Sequence, residues 1–541
     1  MHPRVLAKFN ERPRIIVLPD GTLLSIYVNR EDAQQELRAI PSKDSGNSWE
    51  EIEVLLTLPM VEGRWGGWES LVDHQGEIHV FLLNDRGTGV FVDPAGEEDA
   101  VRLAAEDRKL DIWHFKTENE RTGWVVPKCI WKGYTGALNS VIQMRNGRIL
   151  LPFSFLTERT WIDRGEGLDA FWYAGRLSST LVYSDDAGDS WHLSPSELKV
   201  HTPSIGLYGG VEPVVLEMKD GRVWMLIRTQ LGRLYESFSE DGISWSHPTP
   251  SRLISSDSPV GMVRLGDGRI VLLWNKCLRF PYAHGGRHVL HAAVSEDDGV
   301  TWIGHREVAR DPMRHEPPPP GGDHGTAYPF PAVLPDDDVI FTTGQGEGRI
   351  SIVRFNPEWL YKKEQDSESF SDLDGWSTFG CQGVGLISDP DDSEKKVLSI
   401  EKQPGEWPAN AVWNFPLGVS GKLRFQFRAG AGFSGARVML TNHFSVPFDP
   451  EDGINSSFLF DIDQDGQVDT GGQINVGVWS SFEMCWDLRE RSCDLSIDGE
   501  HCGSTALKHE VDGICYLRLR GIADGNDAGF LVADVAVEVV R

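Results

Sequence analysis

Polar or aromatic side chains recur at one offset at five places in this sequence. About eight residues upstream of successive x-Gly turns lie Arg12, the Trp68-Glu69 pair, Asn139, Glu212 and Tyr328. Carboxylates and phenols are groups that proton transfer and covalent catalysis employ. Any one of them alone would serve equally well as a turn cap. Five at equivalent positions of successive elements point instead to one shared rim. Asp323-His324 precedes Tyr328, and Asn275, Arg279, Tyr282 and His284 precede Arg287. A lone histidine is ordinarily structural, but two in Gly-rich loops beside the same rim are candidates for substrate contact.

The elements that must position these groups announce themselves by repetition. Turn-then-strand segments recur as Pro19-Asp20-Gly21, Gln75-Gly76, Asn146-Gly147, Asp220-Gly221 and Asp267-Gly268, with a degenerate sixth at Asp336-Asp337-Asp338. Each is followed by apolar β-formers, the signal of a hairpin. A second pattern, S-x-D-x-G-x-[ST]-W, occurs at Ser42–Trp49, Ser184–Trp191 and Ser295–Trp302, and one residue shorter at Ser239–Trp245. Its Asp bonds amides of its own turn, its Gly takes the positive-φ position and its Trp fills the space beneath. This pattern resembles the Asp-box of sialidases and related β-propellers, which marks fold rather than chemistry. Six hairpin repeats then predict an all-β protein with a six-bladed β-propeller over residues 1–360.

Composition agrees with that reading. The 57 Gly, 30 Pro and 19 Trp suit a turn-rich all-β chain, and 541 residues exceed one ordinary domain. A net charge of −29 argues against nucleic acid as a partner, although an arginine cluster can reverse the potential inside one cleft. The seven cysteines are odd in number and lack zinc-type spacing, so they read as reduced thiols. Met1–Lys8 has no apolar leader core and is expected to run straight into the first blade. No window is long and apolar enough for a membrane helix, so the chain as written reads as cytoplasmic.

Lys362–Ser369 reads as a polar linker, and residues 370–541 alternate short apolar strands with turns. The stretch Phe482–Leu488 with the Asp498-Gly499 hairpin resembles concanavalin-like jelly-roll modules, which implies an accessory β-sandwich. Asp461-x-Asp463-x-Asp465-Gly466 opens like a calcium loop, but Gly472 stands where the pattern needs a bidentate Glu. A plain Asp-Gly hairpin is the expectation there.

The first turn carries a more specific likeness. Arg12-Pro13-Arg14-Ile15 before Pro19-Asp20-Gly21 resembles the Arg-Ile-Pro motif that opens sialidases. Glu212 with Arg228 sixteen residues later, Arg287 before the last box, and Tyr328 opening the last blade extend it. The chain thus looks like a sialidase-like, BNR-repeat protein. That resemblance implies an exo-acting glycosidase that removes a terminal acidic sugar without metal or cofactor. Tyr328 would be its nucleophile and Glu212 its base. Arg228 and Arg287 would clamp the sugar carboxylate, which guanidinium groups do through paired charge-assisted bonds. Arg12 is one residue out of the family register, so Arg14 or Arg30 could take its place. The residue nearest the family's general acid is Glu36, in the loop Glu31–Glu36. Trp68, Glu69, Asn139, Asn275 and Asp323 complete the expected substrate contacts.

Two other readings stay open. One is a hydrolase or lyase on another anionic or deoxysugar-containing glycan, using His324, Tyr328 or Glu212. The other is a non-catalytic glycan-binding propeller.

Overall fold

The computed structural model describes residues 2–30, 34–86, 109–119, 122–158, 175–202, 208–278, 285–317, 324–346, 348–367, 370–522 and 528–541. Among them the chain is all-β, interrupted only by three short 3-10 turns. Every repeated x-Gly turn joins the first and second strands of an antiparallel sheet. Arg14–Val17, Leu23–Asn29, Glu36–Ser42 and Glu53–Thr57 form the first sheet, and Arg64–Val72, Ile78–Asp85, Leu110–Asn119 and Lys128–Trp131 the second. The third, fourth and fifth begin with Ile142–Gln143, Val211–Glu217 and Gly261–Arg264.

The sixth sheet departs from expectation. Phe330–Val333, Val339–Thr343 and Ile350–Phe355 supply three strands, and the fourth is Arg4–Phe9, from the opposite end of the sequence. The N-terminal segment therefore does not lead into the first sheet. It pairs antiparallel with Ile350–Phe355, Arg4 opposite Arg354. Strand pairing between segments some 350 residues apart leaves no local trace in sequence.

Face-to-face packing links each sheet to the next. The first and second share Leu24, Ile26, Val80 and Leu82, and equivalent clusters join the second to the third and so on. The sixth packs back on the first, with Leu334, Ile340 and Ile352 against Ile15 and Leu23. Apolar burial on both faces of every sheet is the main force holding the ring, at about 25 cal/mol per Å² removed from water.

The four boxes sit between third and fourth strands. Asp44 accepts the Ser48 amide at 2.8 Å and the Ser48 hydroxyl at 2.7 Å, while the Gly46 amide donates to Ser42 Oγ at 2.9 Å. Positive φ is not confined to the glycine. In the three full-length boxes Ser45, Ala187 and Asp298 adopt it too, one position earlier.

Beyond residue 361 the segment read as a linker is partly strand. Glu364–Ser367 pairs with Phe530–Val540, so the sheet begins six residues earlier than expected. An eight-stranded and a five-stranded sheet follow, enclosing Trp376, Trp413, Phe425, Phe427 and Phe482. At Asp463 the carboxylate accepts amides of Asp465 and Gln467, and Asp461 pairs with Arg437, which is a hairpin turn.

These sheets press on the fifth sheet of the ring through a polar and apolar seam. Phe444, Val446 and Tyr516 pack on Cys277 and Val289. His291 Nε2 meets the Tyr516 hydroxyl at 2.5 Å, and that hydroxyl donates to Glu307 at 2.7 Å. Lys276 Nζ lies 2.5 Å from His305 Nδ1 and 3.6 Å from Asp512.

Burial holds the His305 imidazole down to about 3, with Lys276 adding to the shift. Above the ordinary value near 6.5 neither folded nor unfolded chain is protonated there, and the stability is fully present. As pH falls toward 3 the unfolded chain takes up a proton that the fold refuses, so stability is lost. At pH 5 that loss is about 2 kcal/mol. His305→Asn suits the positive φ at this site, which asparagine tolerates. Chemical-denaturant unfolding at pH 7 and pH 5 should show the variant losing about 2 kcal/mol less than the parent over that interval. An equal loss in both proteins would remove His305 as the source.

Candidate active site

Two residues of the predicted rim are held in a backbone conformation that their side chains disfavour. Glu212 has φ +49° and Tyr328 has φ +59°. Left-handed backbone at bulky residues costs of order 1–3 kcal/mol each and concentrates at functional sites. At Glu212 the cause is a bulge. Val211 faces Arg228 but Val214 faces Leu226, so one extra residue is accommodated between them. That bulge turns Glu212 off the strand face. Gly136 lies beside it, and a Cβ there would stand 2.4 Å from Ser154 Oγ, so the close approach of Ser154 is what requires the glycine. Tyr328 precedes the first strand of the sixth sheet, and the carbonyl of Ala327 accepts the Gly344 amide at 3.1 Å.

The two side chains meet. Tyr328 OH donates to Glu212 Oε1 at 2.7 Å. Arg228 Nη1 donates to Glu212 Oε2 at 2.5 Å and to Tyr328 OH at 3.2 Å. Arg228 Nε bonds Asp257 Oδ1 at 2.8 Å, and Nη2 bonds Tyr208 OH at 2.9 Å. Burial opposes the charge on Arg228, but Asp257 and Glu212 outweigh it and hold the guanidinium charged, its pKa well above the usual value. Burial raises the Tyr208 phenol well above its usual value, with Asp257 adding to the rise, so it stays protonated and can donate. It donates to Asp257. Tyr208 and Asp257 lie outside the repeat offset, and nothing in the sequence pattern singled them out.

These groups face a cleft of about 490 Å³ whose wall includes Arg12, Arg14, Arg30, Trp68, Glu212, Arg228 and Tyr328. Arg12 stands over the Tyr328 ring, its guanidinium carbon 4.6 Å from the centroid. Arg14 is pinned between Glu69, at 3.3 Å, and the Phe330 ring, at 3.1 Å. Burial works against charge on both partners, drawing Arg14 down to about 9 and Glu69 up. Arg30 is paired with Glu11 at 3.0 Å. Trp68 donates its indole N–H to the carbonyl of Ile26 at 3.2 Å.

The other expected contacts fall elsewhere. Arg287 is fully buried and not in the cleft wall. It donates to Ser258 Oγ at 2.9 Å, Gln345 Oε1 at 2.5 Å and the Asp257 carbonyl at 3.0 Å. It therefore backs the site, fixing Gln345, which does face the cleft. Glu36 pairs with Arg38 at 2.7 Å on the second hairpin of its sheet and is absent from the described wall. Glu11 is the wall carboxylate besides Glu212 among the described residues.

His324 is buried outside the cleft wall. Asn275 donates to the carbonyls of Val289 at 2.7 Å and Thr326 at 3.3 Å, bracing the segment that leads to Tyr328. Asn139 and Glu69 are buried behind the wall rather than part of it. Asp323, Arg279, Tyr282, His284, Glu31 and Asp32 lie outside the described residues. The offset rule thus found the bottom of the cleft but could not separate its lining from its support. Both begin inner strands, and only packing decides which side chain points inward.

The model of the BNR repeat-like domain matches residues 71–341, half of the chain. No curated protein sequence matches it. Among solved structures, the Trypanosoma rangeli sialidase in complex with 2,3-difluorosialic acid, described as a covalent intermediate, is 14% identical. The match covers 98% of this chain and 91% of that one, with a TM-score of 0.44. A protein of unknown function from Dyadobacter fermentans is 18% identical, covering 65% of this chain and 97% of its own, with a TM-score of 0.46.

Proposed function

Since this chain belongs to the BNR repeat-like family of sialidase-like proteins, we propose that its cleft is the active site of an exo-acting glycoside hydrolase of sialidase type. The observation that carries the reading is the Tyr328–Glu212–Arg228 contact set inside a cleft, with both Tyr328 and Glu212 on strained backbone. A phenol bonded to a carboxylate is an activated nucleophile in waiting. Against an anomeric centre that already bears a carboxylate, a neutral nucleophile avoids charge repulsion, and sialidases are the glycosidases that use tyrosine.

In this reading Tyr328 attacks the anomeric carbon and Glu212 Oε1 accepts the phenol proton. Arg228 and Arg12 hold the sugar carboxylate, and Arg287 serves as a positioning residue through Gln345. Glu11 replaces Glu36 as the candidate that protonates the leaving oxygen. The six sheets are read as blades of a six-bladed propeller over residues 1–360. The two later sheets are read as a jelly-roll sandwich that starts at Glu364 and follows it as an accessory domain.

One observation favours a neighbouring substrate class. With Arg287 fully buried and outside the cleft wall, the clamp is smaller than the three-arginine set expected. A uronide or another acidic sugar is then the second reading. Incubation with a panel of sialosides, uronides and rhamnosides, followed by identification of the released sugar, separates the two. Free sialic acid supports the first reading and a released uronic acid the second. Release of a neutral deoxysugar alone would overturn the carboxylate clamp.

A further inference from the structure

A second cleft, of about 500 Å³, opens where the fifth and sixth sheets meet the C-terminal sheets. That volume is within the range of small-ligand sites. Its wall comes from the outer strand of the fifth sheet, Ile303–Arg310, the N-terminal strand Arg4–Phe9, and Gln365, Asp374 and Asn414 across the seam. In a chain of net charge −29 the wall is locally basic. Arg4, Lys8, Arg306, Arg310 and Arg314 stand against Glu307, Asp366 and Asp374.

The pairing within that set is uneven. Glu307 is taken by Arg310 at 2.6 Å, and Asp374 lies 3.8 Å from Arg310 and 3.9 Å from Arg314. Arg4 bonds the neutral amide of Asn47 at 2.6 Å. Among the described residues no carboxylate lies within ion-pair distance of Arg4, Lys8 or Arg306, and Asp366 is exposed. Arg306 is the decisive member, because it is 5% exposed. Its Nη1 and Nη2 donate to the Trp359 carbonyl at 3.2 Å and to Gln365 Oε1 at 2.5 Å, and its plane lies 3.8 Å over the Trp359 ring. Its buried Nε has no hydrogen-bond partner. Two of five N–H donors are thus accounted for.

A buried cation without a counter-ion is costly, of order several kcal/mol. Burial, with Arg310 and Arg541 adding repulsion, draws Arg306 down to about 9, still above neutral pH. The charge persists in a cleft where neutral dipoles and one ring face are its only described compensation.

We propose that this cleft is a second binding site, specific for a compact oxyanion, with Arg306 at its base and Lys8 and Arg4 at its mouth. The oxyanion is either the carboxylate of an acidic sugar or a free phosphate. The site stands apart from the proposed catalytic cleft, and its residues carry no role there.

Lys8 supplies a local readout, since it is exposed and belongs to the wall. Its acetylation by an activated ester is followed by mass spectrometry at fixed ionic strength, with glucuronate, inorganic phosphate or glucose added to the full chain. Constant ionic strength removes general screening as an explanation. Glucuronate or phosphate should slow acetylation of Lys8 several-fold without changing that of Lys396, which lies outside the cleft, and glucose should have no effect. Protection by glucuronate alone identifies a sugar acid as the ligand, and by phosphate alone the free anion. Protection by both identifies an oxyanion site open to either. Arg306→Gln should abolish the protection. If that variant does not fold, Arg310→Gln at the cleft's more exposed wall should weaken it. No slowing by either anion, or equal slowing in a folded Arg306→Gln protein, overturns the proposal.

Discussion

Replacing Tyr328 by phenylalanine should lower kcat by about 10³-fold or more and abolish covalent trapping by a fluorinated sugar inactivator. The change removes one oxygen and keeps the ring beneath Arg12 and beside Phe330. What disappears is the hydroxyl that donates to Glu212 at 2.7 Å and accepts from Arg228 at 3.2 Å. The fold should tolerate this at a cost of about 1–3 kcal/mol, because both groups left without the hydroxyl keep the bond between Arg228 and Glu212. The proper comparison is therefore kcat against KM. The sugar carboxylate is assigned to Arg228 and Arg12, so KM should change little while kcat collapses. Full turnover in the variant, or trapping at the same rate, would refute the nucleophile.

Arg228→Met should have the largest effect on stability of any single change in the cleft. The guanidinium bridges Glu212 and Asp257 in a site where all three are less than a tenth exposed. Removing the cation leaves two buried carboxylates facing one another without compensation. Breaking a buried pair in this way costs about 3–5 kcal/mol. A thermal scan should show a clear drop in Tm, and activity should be lost together with substrate binding. Arg228→Lys keeps the charge but not the fork that reaches Glu212, Tyr328, Tyr208 and Asp257 at once. It should recover most of the stability and little of the activity. If Arg228→Met were as stable as the parent, the buried triad would not hold the site together.

Much of this protein was legible in its sequence because the relevant interactions are local. An x-Gly turn followed by apolar β-formers specifies a hairpin, and five of the six sheets start from one, while in the sixth Asp337 takes the positive φ in place of glycine. The box pattern is closed by bonds spanning two to four residues, such as Ser184 to Asp186 and Ser190 to Asp186, so sequence alone suffices to build it. The offset from those turns led to Glu212 and Tyr328, since counting residues along a strand is counting distance.

Tertiary structure decided what depends on partners far along the chain. Arg4–Phe9 belongs to the last sheet because Ile350–Phe355 offers it an unpaired edge. Arg287 and Arg228 have the same side chain and comparable positions in their sheets. Both touch Asp257, but one is buried behind Gln345 with Ser258 beside it, and the other faces the cleft beside Glu212 and Tyr208. Asn275 carries a chemistry-bearing type yet braces the segment that leads to Tyr328. The composition of the chain is strongly acidic, but its second cleft is basic, because charge is summed over a sequence and felt only over a few ångströms of folded surface.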